Sequence, residues 1–470
     1  MKRVLFRSDG SVKHGLGHLS RSLNLAEGFF SLGYKVDILT FDDEATKDFL
    51  NKKSKKVVKH LFSKKYIDEK LLEMANKYDL VFLDSYTISS KQIEKLHKFS
   101  KTLVAVDDHA SKPLDVDIVV NGNIYASDLD YADLTQAHIL SGPRFSLINP
   151  IYNKFHMVQK EISKKIKKSF VILGSAEEEE ILDKVIEGIK KFSKEIKISV
   201  STKLNKRYGD LEIVPFRETL AQDIFESDLV VSASGVTASE VLSVGTPGIF
   251  IITVDNQLLV GEKLKELGFD VLKRMEITPQ KISNLINTLN VEKRQKLSKV
   301  GKELVDGLGV QRVASYITSF QENNVYLRSA DKSDLYDLWV WRNDRVTRDS
   351  SINQDWVSFD DHASWFKSSL KNKERYIYII MRDLAKAGML RLDKEKQKAE
   401  ISVNIAPEFR GHGIAKKSLI QMENKSASLG FRLLTAKIKA SNLASLKLFK
   451  NLGYKEVSSK EGVLLYQKKL

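Results

Sequence analysis

The sequence predicts an α/β protein with two parallel-sheet lobes in its N-terminal half and a smaller α+β domain behind them. Three observations predict it. From residue 3 to about 145, short runs rich in β-branched and aromatic residues alternate with segments of helical periodicity, a pattern that builds βα units and a parallel sheet. A second series of the same kind follows. Beyond the polar run Gln321-Glu322-Asn323-Asn324 the order of strand and helix signals changes.

In the first lobe, residues 1–150, strand signals fall at 4–6, 36–41, 80–84, 103–106 and 118–121, with an amphipathic helix over 19–32. Asn149-Pro150 breaks the pattern, and the basic amphipathic stretch 155–168 reads as an inter-lobe connector. The second lobe, 166–318, has strand signals at 170–173, 196–200, 213–214, 229–232 and 249–252, and a last helical stretch at 312–320. The third domain, 325–470, opens with a strand at 325–327 and a helix at 335–342. It continues with strands at 376–381 and 399–405, a glycine turn into a helix over 410–429, and a strand–helix–strand ending at 464–468. A chain of 470 residues is long enough for three cores of ordinary size.

The apolar content of 42% and charged content of 29% exclude collagen-like and disordered classes. With no cysteine, disulfides, thiolate metal sites and cysteine nucleophiles are excluded, which fits a reducing compartment, so a cytoplasmic protein is expected. The apolar run Val4-Leu5-Phe6 is too short for a signal peptide, and the longest apolar stretches, around 229–236 and 247–254, are about half of the ~20 residues a membrane span needs. The 76 Lys+Arg against 61 Asp+Glu give a net charge of +15, which favours an anionic partner. Clusters such as Lys52-Lys53-Ser54-Lys55-Lys56 lack the interleaved aromatics that stack bases, so phosphate-bearing small molecules are expected in preference to nucleic acid. No metal site is predicted.

In the first lobe the strand at 4–6 runs through Arg7-Ser8-Asp9-Gly10 into His14-Gly15-Leu16-Gly17-His18, where a helix begins. A strand–glycine loop–helix unit aims backbone N–H groups and a helix N-terminus at an anion. Gly15 and Gly17 let the backbone approach a ligand, and an imidazole at His18 suits a general base, its ordinary pKa lying near ~6.5. A His18 that only caps or packs fits the spacing equally, and His14 competes for the role.

In the second lobe, Ser227-Asp228-Leu229-Val230-Val231-Ser232-Ala233-Ser234-Gly235-Val236-Thr237-Ala238-Ser239-Glu240 turns a buried strand into a helix with Glu240 one turn in. A carboxylate there accepts both hydroxyls of a ribose while the helix N-terminus holds a diphosphate. Asp255-Asn256-Gln257 closes the next strand. The same residues describe an ordinary βαβ crossover.

Taken together, Phe6-Arg7-Ser8-Asp9, Gly15-Leu16-Gly17-His18, Asp84-Ser85-Tyr86, Gly142-Pro143-Arg144-Phe145, the run from Gly235 to Glu240, and Asn256-Gln257 resemble the GT-B nucleotide-sugar proteins. Within these, the UDP-sugar hydrolases of pseudaminic acid biosynthesis match over about residues 1–315. The resemblance implies that His18 activates water at the anomeric carbon and UDP leaves, with Gly15, Gly17, Tyr86, Ser234, Gly235, Thr237, Glu240, Asn256 and Gln257 on the substrate. One departure is Leu173-Gly174-Ser175-Ala176-Glu177, where the family usually has two glycines, a serine and an aspartate.

In the third domain, Arg410-Gly411-His412-Gly413-Ile414-Ala415 follows the strand at 399–405 and opens a helix. Successive backbone N–H groups in such a loop bind a pyrophosphate. The loop, with Asn442 and Phe449 in the stretch 441–454, resembles the GNAT acetyltransferases, which implies acetyl-CoA as co-substrate, bound along Ile405, Arg410–Ala415, Asn442 and Phe449. Many relatives have a tyrosine at Phe449 to protonate the thiolate, and phenylalanine has no proton to give. Glu400 is the candidate base, although an exposed strand glutamate reads the same way. The expected function is a bifunctional enzyme. Its GNAT domain N-acetylates a UDP-4-amino-dideoxy sugar, and its N-terminal half hydrolyses the UDP-2,4-diacetamido-trideoxy product to UDP and free sugar. The alternatives are a GT-B glycosyltransferase fused to a GNAT, and a protein-modifying GNAT fused to a nucleotide-sugar sensor.

Overall fold

A computed structural model of the chain describes residues 2–10, 16–53, 56–174, 178–202, 211–214, 219–319 and 324–470. It separates into two compact units, Met1–Ala314 and Ser315–Leu470. The first unit holds two parallel sheets. In one, β1 (Arg3–Ser8), β2 (Lys35–Phe41), β3 (Val58–Phe62), β4 (Leu80–Asp84), β5 (Leu103–Val106), β6 (Ile118–Asn121) and β7 (His138–Ser141) lie in the order β3-β2-β1-β4-β5-β6-β7. The other arranges β8 (Lys168–Ile172), β9 (Lys197–Ser201), β10 (Glu212–Val214), β11 (Leu229–Ala233), β12 (Gly248–Ile252) and β13 (Asp270–Lys273) as β10-β9-β8-β11-β12-β13.

Both orders reverse direction beside the first strand of their lobe, between β1 and β4 and between β8 and β11. In open α/β sheets ligands bind outside the carboxyl ends of the strands at that reversal. The central strands are apolar on both faces because helices cover both: Val4, Leu5, Val81, Val230 and Ile249 are fully buried. Alternation of polar and apolar residues is absent for that reason. The connector stretch is helical only over Ile151–His156, after which the chain runs without regular structure to β8. Tyr152 of that short helix is buried in the core of the second lobe.

The second unit is a mixed sheet. β14 (Val325–Ser329), β15 (Arg375–Arg382), β16 (Ala385–Glu395) and β17 (Lys398–Ile405) are antiparallel neighbours. β18 (Leu433–Lys439) then pairs parallel with β17, and β20 (Val463–Lys469) lies between β18 and β19 (Lys455–Lys460). Pairing between β17 and β18 covers only Lys398↔Leu433, Ala399↔Leu434 and Glu400↔Thr435. Beyond Glu400 the two strands diverge, so backbone groups from Ile401 to Ile405 are left to bind something other than β18. The division between the units falls inside the helix Gly309–Ser319. Val310 and Ala314 meet Gly28 in the first unit, where a Cβ at Gly28 would come within 2.9 Å of Val310 Cγ1. In the second unit, the Tyr316 ring packs on Phe409 at 4.8 Å.

Candidate active sites

The carboxyl ends of β1, β4, β5 and β6 bring together groups far apart in sequence. His18 stands at the start of the helix Gly17–Ser31, buried to 7% exposure, and its Nδ1 lies 2.5 Å from Asp84 Oδ1 at the end of β4. One turn on, Arg21 donates from Nε to Asp84 Oδ2 (2.7 Å) and from Nη1 to Asp108 Oδ1 (2.8 Å) beyond β5. Tyr86 donates its hydroxyl to Asp108 Oδ2 (2.5 Å), and Asn123 Nδ2 donates to Asp108 Oδ1 (2.8 Å). The Tyr86 ring meets the His18 ring edge-on at 4.6 Å. Asp9, after β1, accepts from Ser85 Oγ (2.9 Å) and the Tyr86 N–H (3.1 Å), which fixes the turn carrying Tyr86.

The charges in this network decide the tautomer of His18. Burial disfavours ionisation of Asp84, yet the Arg21 and His18 charges beside it hold its carboxyl below the usual carboxylate range. Asp108 is likewise held low, burial being outweighed by Arg21. Nδ1 lies between the ionised Asp84 Oδ1 at 2.5 Å and Arg21 Nη2 at 3.0 Å, and the short contact with a carboxylate favours a proton on Nδ1. Nε2 is then the basic nitrogen. Burial and the Asp108 charge push the Tyr86 phenol up, so it remains a donor. A base oriented by a buried carboxylate is the arrangement that activates a water or hydroxyl nucleophile.

Gly17 is exposed, has ordinary negative φ, and a Cβ there would meet nothing within 4 Å among the described residues. Gly15 and the competing His14 lie outside the described residues.

In the second lobe the carboxyl ends of β11 and β12 carry the other group. The helix Val236–Val244 starts at Gly235 with no side chain capping it, so its first N–H groups point out unsatisfied by a cap. Ser234 is fully buried and its Oγ has no hydrogen-bond partner among the described residues. Thr237 is half-buried. Gln257 is held through Oε1 by the Thr253 N–H (2.9 Å) and hydroxyl (3.1 Å), which turns its Nε2 toward Gly235, 3.7 Å from where a Cβ would stand. Asn256 is exposed on the same turn. Burial pushes the Glu240 carboxyl up to about 7, against the charge of Lys53 from the first lobe and a hydrogen bond from Tyr152. A second contact between the lobes is the Lys263–Asp128 ion pair at 2.7 Å. Residues Ser175, Ala176 and Glu177 of the departing motif lie outside the described residues.

In the second unit, Gly411 and Gly413 have φ of +82° and +69°, a conformation that side chains resist, while a Cβ at either would meet nothing. The turn they make presents the uncapped N-terminus of the helix Ile414–Ser428, with His412 and Ala415 half-buried and Ile414 buried behind it. Such a nest of N–H groups takes a diphosphate. The side chain of Arg410 does not join it. Its Nη2 donates to Asp344 Oδ2 (2.6 Å) and Thr347 Oγ1 (2.9 Å), and Nε to the Ile405 carbonyl (3.3 Å).

Asn442 is likewise engaged: it caps the helix Leu443–Asn451 by accepting from the Ser445 N–H (3.1 Å) and donates from Nδ2 to the Ser350 carbonyl (3.3 Å). Phe449 is buried and packs edge-on against Tyr454 at 4.9 Å. Glu400, at the last position of β17 paired with β18, forms an ion pair with Lys437 at 2.8 Å. Trp341 is fully buried as packing. Arg21 and Asp108 went unread in the sequence. The readable signal was Arg21, a charge three residues after His18 on the same helix face.

Residues 324–455 match the acetyltransferase (GNAT) domain family, and residues 159–308 match the glycosyltransferase family 28 C-terminal domain. The chain thus carries a GNAT acetyltransferase domain behind a GT-B-like half. An uncharacterised protein of Methanocaldococcus jannaschii is 23% identical over 502 residues, covering 99% of each chain. The UDP-2,4-diacetamido-2,4,6-trideoxy-beta-L-altropyranose hydrolase of Campylobacter jejuni is 27% identical over 285 residues, 57% of this chain and 98% of the hydrolase. The spore coat polysaccharide biosynthesis protein SpsG of Bacillus subtilis is 21% identical over 349 residues, 68% of this chain and 98% of SpsG. Among solved structures, spermidine N-acetyltransferase from Vibrio cholerae with CoA and spermine is 18% identical, covering 31% of this chain and 95% of that one, with a TM-score of 0.29. No described helix is long and apolar enough to cross a membrane, and no cluster of metal-ligating side chains occurs among the described residues.

Proposed function

We propose that the chain is a bifunctional nucleotide-sugar enzyme: the GNAT domain transfers acetyl from acetyl-CoA to the 4-amine of a UDP-4-amino-dideoxy sugar that already carries a 2-acetamido group, and the N-terminal half hydrolyses the UDP-2,4-diacetamido-trideoxy product. The similarity to the Campylobacter hydrolase over nearly its whole length supports the second activity. The observation that carries it is the buried His18–Asp84 pair.

His18 Nε2 takes a proton from water as the water oxygen bonds to the anomeric carbon, and the bond from that carbon to the diphosphate oxygen breaks. UDP departs as the dianionic or trianionic diphosphate that the helix N-terminus at Gly235 is built to hold. Asp84 stabilises the imidazolium formed, as the carboxylate does in other oriented histidine bases. Tyr86, beside the His18 ring with its hydroxyl held by Asp108, contacts the substrate. Ser234, Thr237, Asn256 and Gln257 meet the nucleotide, and Glu240 accepts the ribose hydroxyls. In the GNAT domain, the Gly411–Ala415 turn holds the CoA diphosphate, and the diverging strand at Ile401–Ile405 pairs with the pantetheine arm. The substrate amine attacks the thioester carbonyl and the thiolate leaves.

The test is incubation of the whole chain with acetyl-CoA and a UDP-2-acetamido-4-amino-2,4,6-trideoxy sugar, followed by mass spectrometry. Mass gain of one acetyl group on the nucleotide sugar and then release of UDP with no acceptor present are expected. UDP release only when an alcohol acceptor is added would make the N-terminal half a glycosyltransferase, and acetylation of proteins but not of the sugar would make the GNAT a protein modifier.

A further inference from the structure

The short helix Arg345–Ser350 buries none of its residues. It is held almost wholly by polar contacts, and these come from both arms of the diverging strand pair. On the β17 side, Thr347 Oγ1 donates to Asn404 Oδ1 (3.2 Å), and Asn404 Nδ2 in turn donates to the Trp341 carbonyl (3.2 Å). On the β18 side, Lys439 Nζ donates to the Asp349 carbonyl (3.1 Å) and Asn442 Nδ2 to the Ser350 carbonyl (3.3 Å). The third support comes from the diphosphate-binding turn, where Arg410 reaches Asp344, the N-cap of the helix, and Thr347. Asp344 Oδ2 accepts from the Thr347 N–H (2.9 Å) as well as from Arg410, so the cap and the ion pair share one carboxylate oxygen.

We propose that the helix Arg345–Ser350 is a strap across the mouth of the strand divergence, that Asp344 and Thr347 are positioning residues, and that the Arg410 side chain serves the strap instead of the cofactor. The inference rests on the GNAT reading of this unit. An element with no buried apolar residue opens at low free-energy cost, so its place depends on its polar anchors. Three of those anchors, Arg410, Asn404 and Asn442, belong to segments that line the cofactor: the turn, the splayed strand and the N-cap of the following helix. Binding CoA orders those segments, so it fixes the strap and with it the distance between the two strand ends, where the amine must meet the thioester. The acceptor is then read by a site that the cofactor completes.

The experiment uses the full chain and three variants. Asp344→Asn keeps an N-cap of similar strength and the same shape while removing the charge of the ion pair. Arg410→Gln breaks the pair from the other side. Asn442→Asp keeps the cap on Ser445 and removes the donor to Ser350. CoA affinity by calorimetry is expected to stay within about threefold of wild type in Asp344→Asn and Arg410→Gln. Amide exchange in 345–350 is expected to slow at least tenfold when CoA is added to the wild type, and to slow by less than threefold in all three variants. With the UDP-2-acetamido-4-amino-2,4,6-trideoxy sugar as acceptor, KM should rise about tenfold with kcat changed less than threefold.

A large loss of CoA affinity in Arg410→Gln with unchanged exchange in Asp344→Asn would overturn the proposal and give the guanidinium to the diphosphate. Exchange in 345–350 that ignores CoA in the wild type would overturn it too. If the wild type does not acetylate the sugar, the proposed acceptor fails, while the exchange measurements still decide the strap. Melting of each variant within a few degrees of wild type separates loss of the strap from loss of the fold.

Discussion

Glu240 gives the sharpest test of the nucleotide site, because its protonation is tied to the act of binding. Burial raises its carboxyl to about 7. If the ionised form accepts the ribose hydroxyls, binding has to ionise it, and the apparent Kd for UDP scales as 1 + 10^(pKa − pH). Between pH 8 and pH 6 the affinity should fall about tenfold, or ~1.4 kcal/mol, on account of this group. UDP has a titrating phosphate of its own, so the comparison is with Glu240→Gln, in which only the nucleotide's slope remains. Calorimetry at pH 7 in buffers of different ionisation enthalpy should find about half a proton more released on UDP binding to the wild type than to the variant.

The stability of the unliganded protein moves the opposite way. The folded-state pKa lies above the ordinary value, so the native state holds the extra proton between about 4.5 and 7, and the stabilisation present below that window is lost as pH rises through 7. UDP should therefore raise the melting temperature more at pH 8 than at pH 6. Identical pH slopes in wild type and Glu240→Gln, or tighter binding at pH 6, would refute the assignment of Glu240 to the ribose.

His18→Asn should retain UDP binding and lower UDP release by about 10²–10⁴-fold in steady-state assays, leaving acetyl transfer unchanged. Asp84→Asn, which no longer fixes the proton on His18 Nδ1 and leaves Arg21 with one charged partner fewer, should lower kcat for UDP release by at least tenfold with little change in KM. Gly413→Asp places a β-carbon at φ +69° and a charge in the diphosphate turn, so isothermal titration should find CoA binding lost and UDP binding intact. A C-terminal fragment that begins at residue 309 should unfold at higher urea than one that begins at 324, by about 1–3 kcal/mol, because Tyr316 and its contact with Phe409 go with the shorter cut.

The parallel lobes were legible because buried parallel strands concentrate Val, Ile, Leu and Phe into short runs, as at β4 and β12. Strands at the margins were not: β3, β7 and β13 carry His60, His138 and Asp270 and lack such runs. β16 was missed for another reason. It alternates Ala387, Leu390 and Leu392 inward with Lys386, Arg391 and Asp393 outward, and a strand polar on one face reads as loop when continuous apolar runs are sought. The site residues that lie on glycine turns could be picked out because turn and helix start are adjacent in sequence. Asp84, Asp108 and Asn123 come from three different strand ends, and only the parallel order of β4, β5 and β6 brings them to His18 and Arg21. Side-chain direction was beyond the motif as well: the arginine of the glycine signature turns away from the turn it introduces.

The departure at Phe449 and the ion pair of Glu400 bear on the same proton problem. With Phe449 buried against Tyr454, no phenol reaches a leaving thiolate from that position. The omission is tolerable on energetic grounds, since a thiol with an ordinary pKa near ~8.5 leaves as thiolate close to neutral pH, whereas an ammonium cannot attack until it has lost a proton. The demand therefore falls on the amine side, where Glu400 stands at the point of strand divergence. The hydrogen bond that Lys437 donates to Glu400 holds its ammonium above the ordinary lysine range, and a proton moved onto Glu400 would leave that ammonium without its counter-charge. In the proposed acetyl transfer Glu400 would therefore draw an ammonium into the divergence, on the polar face it shares with Asp393 and Arg391, and leave the proton to solvent.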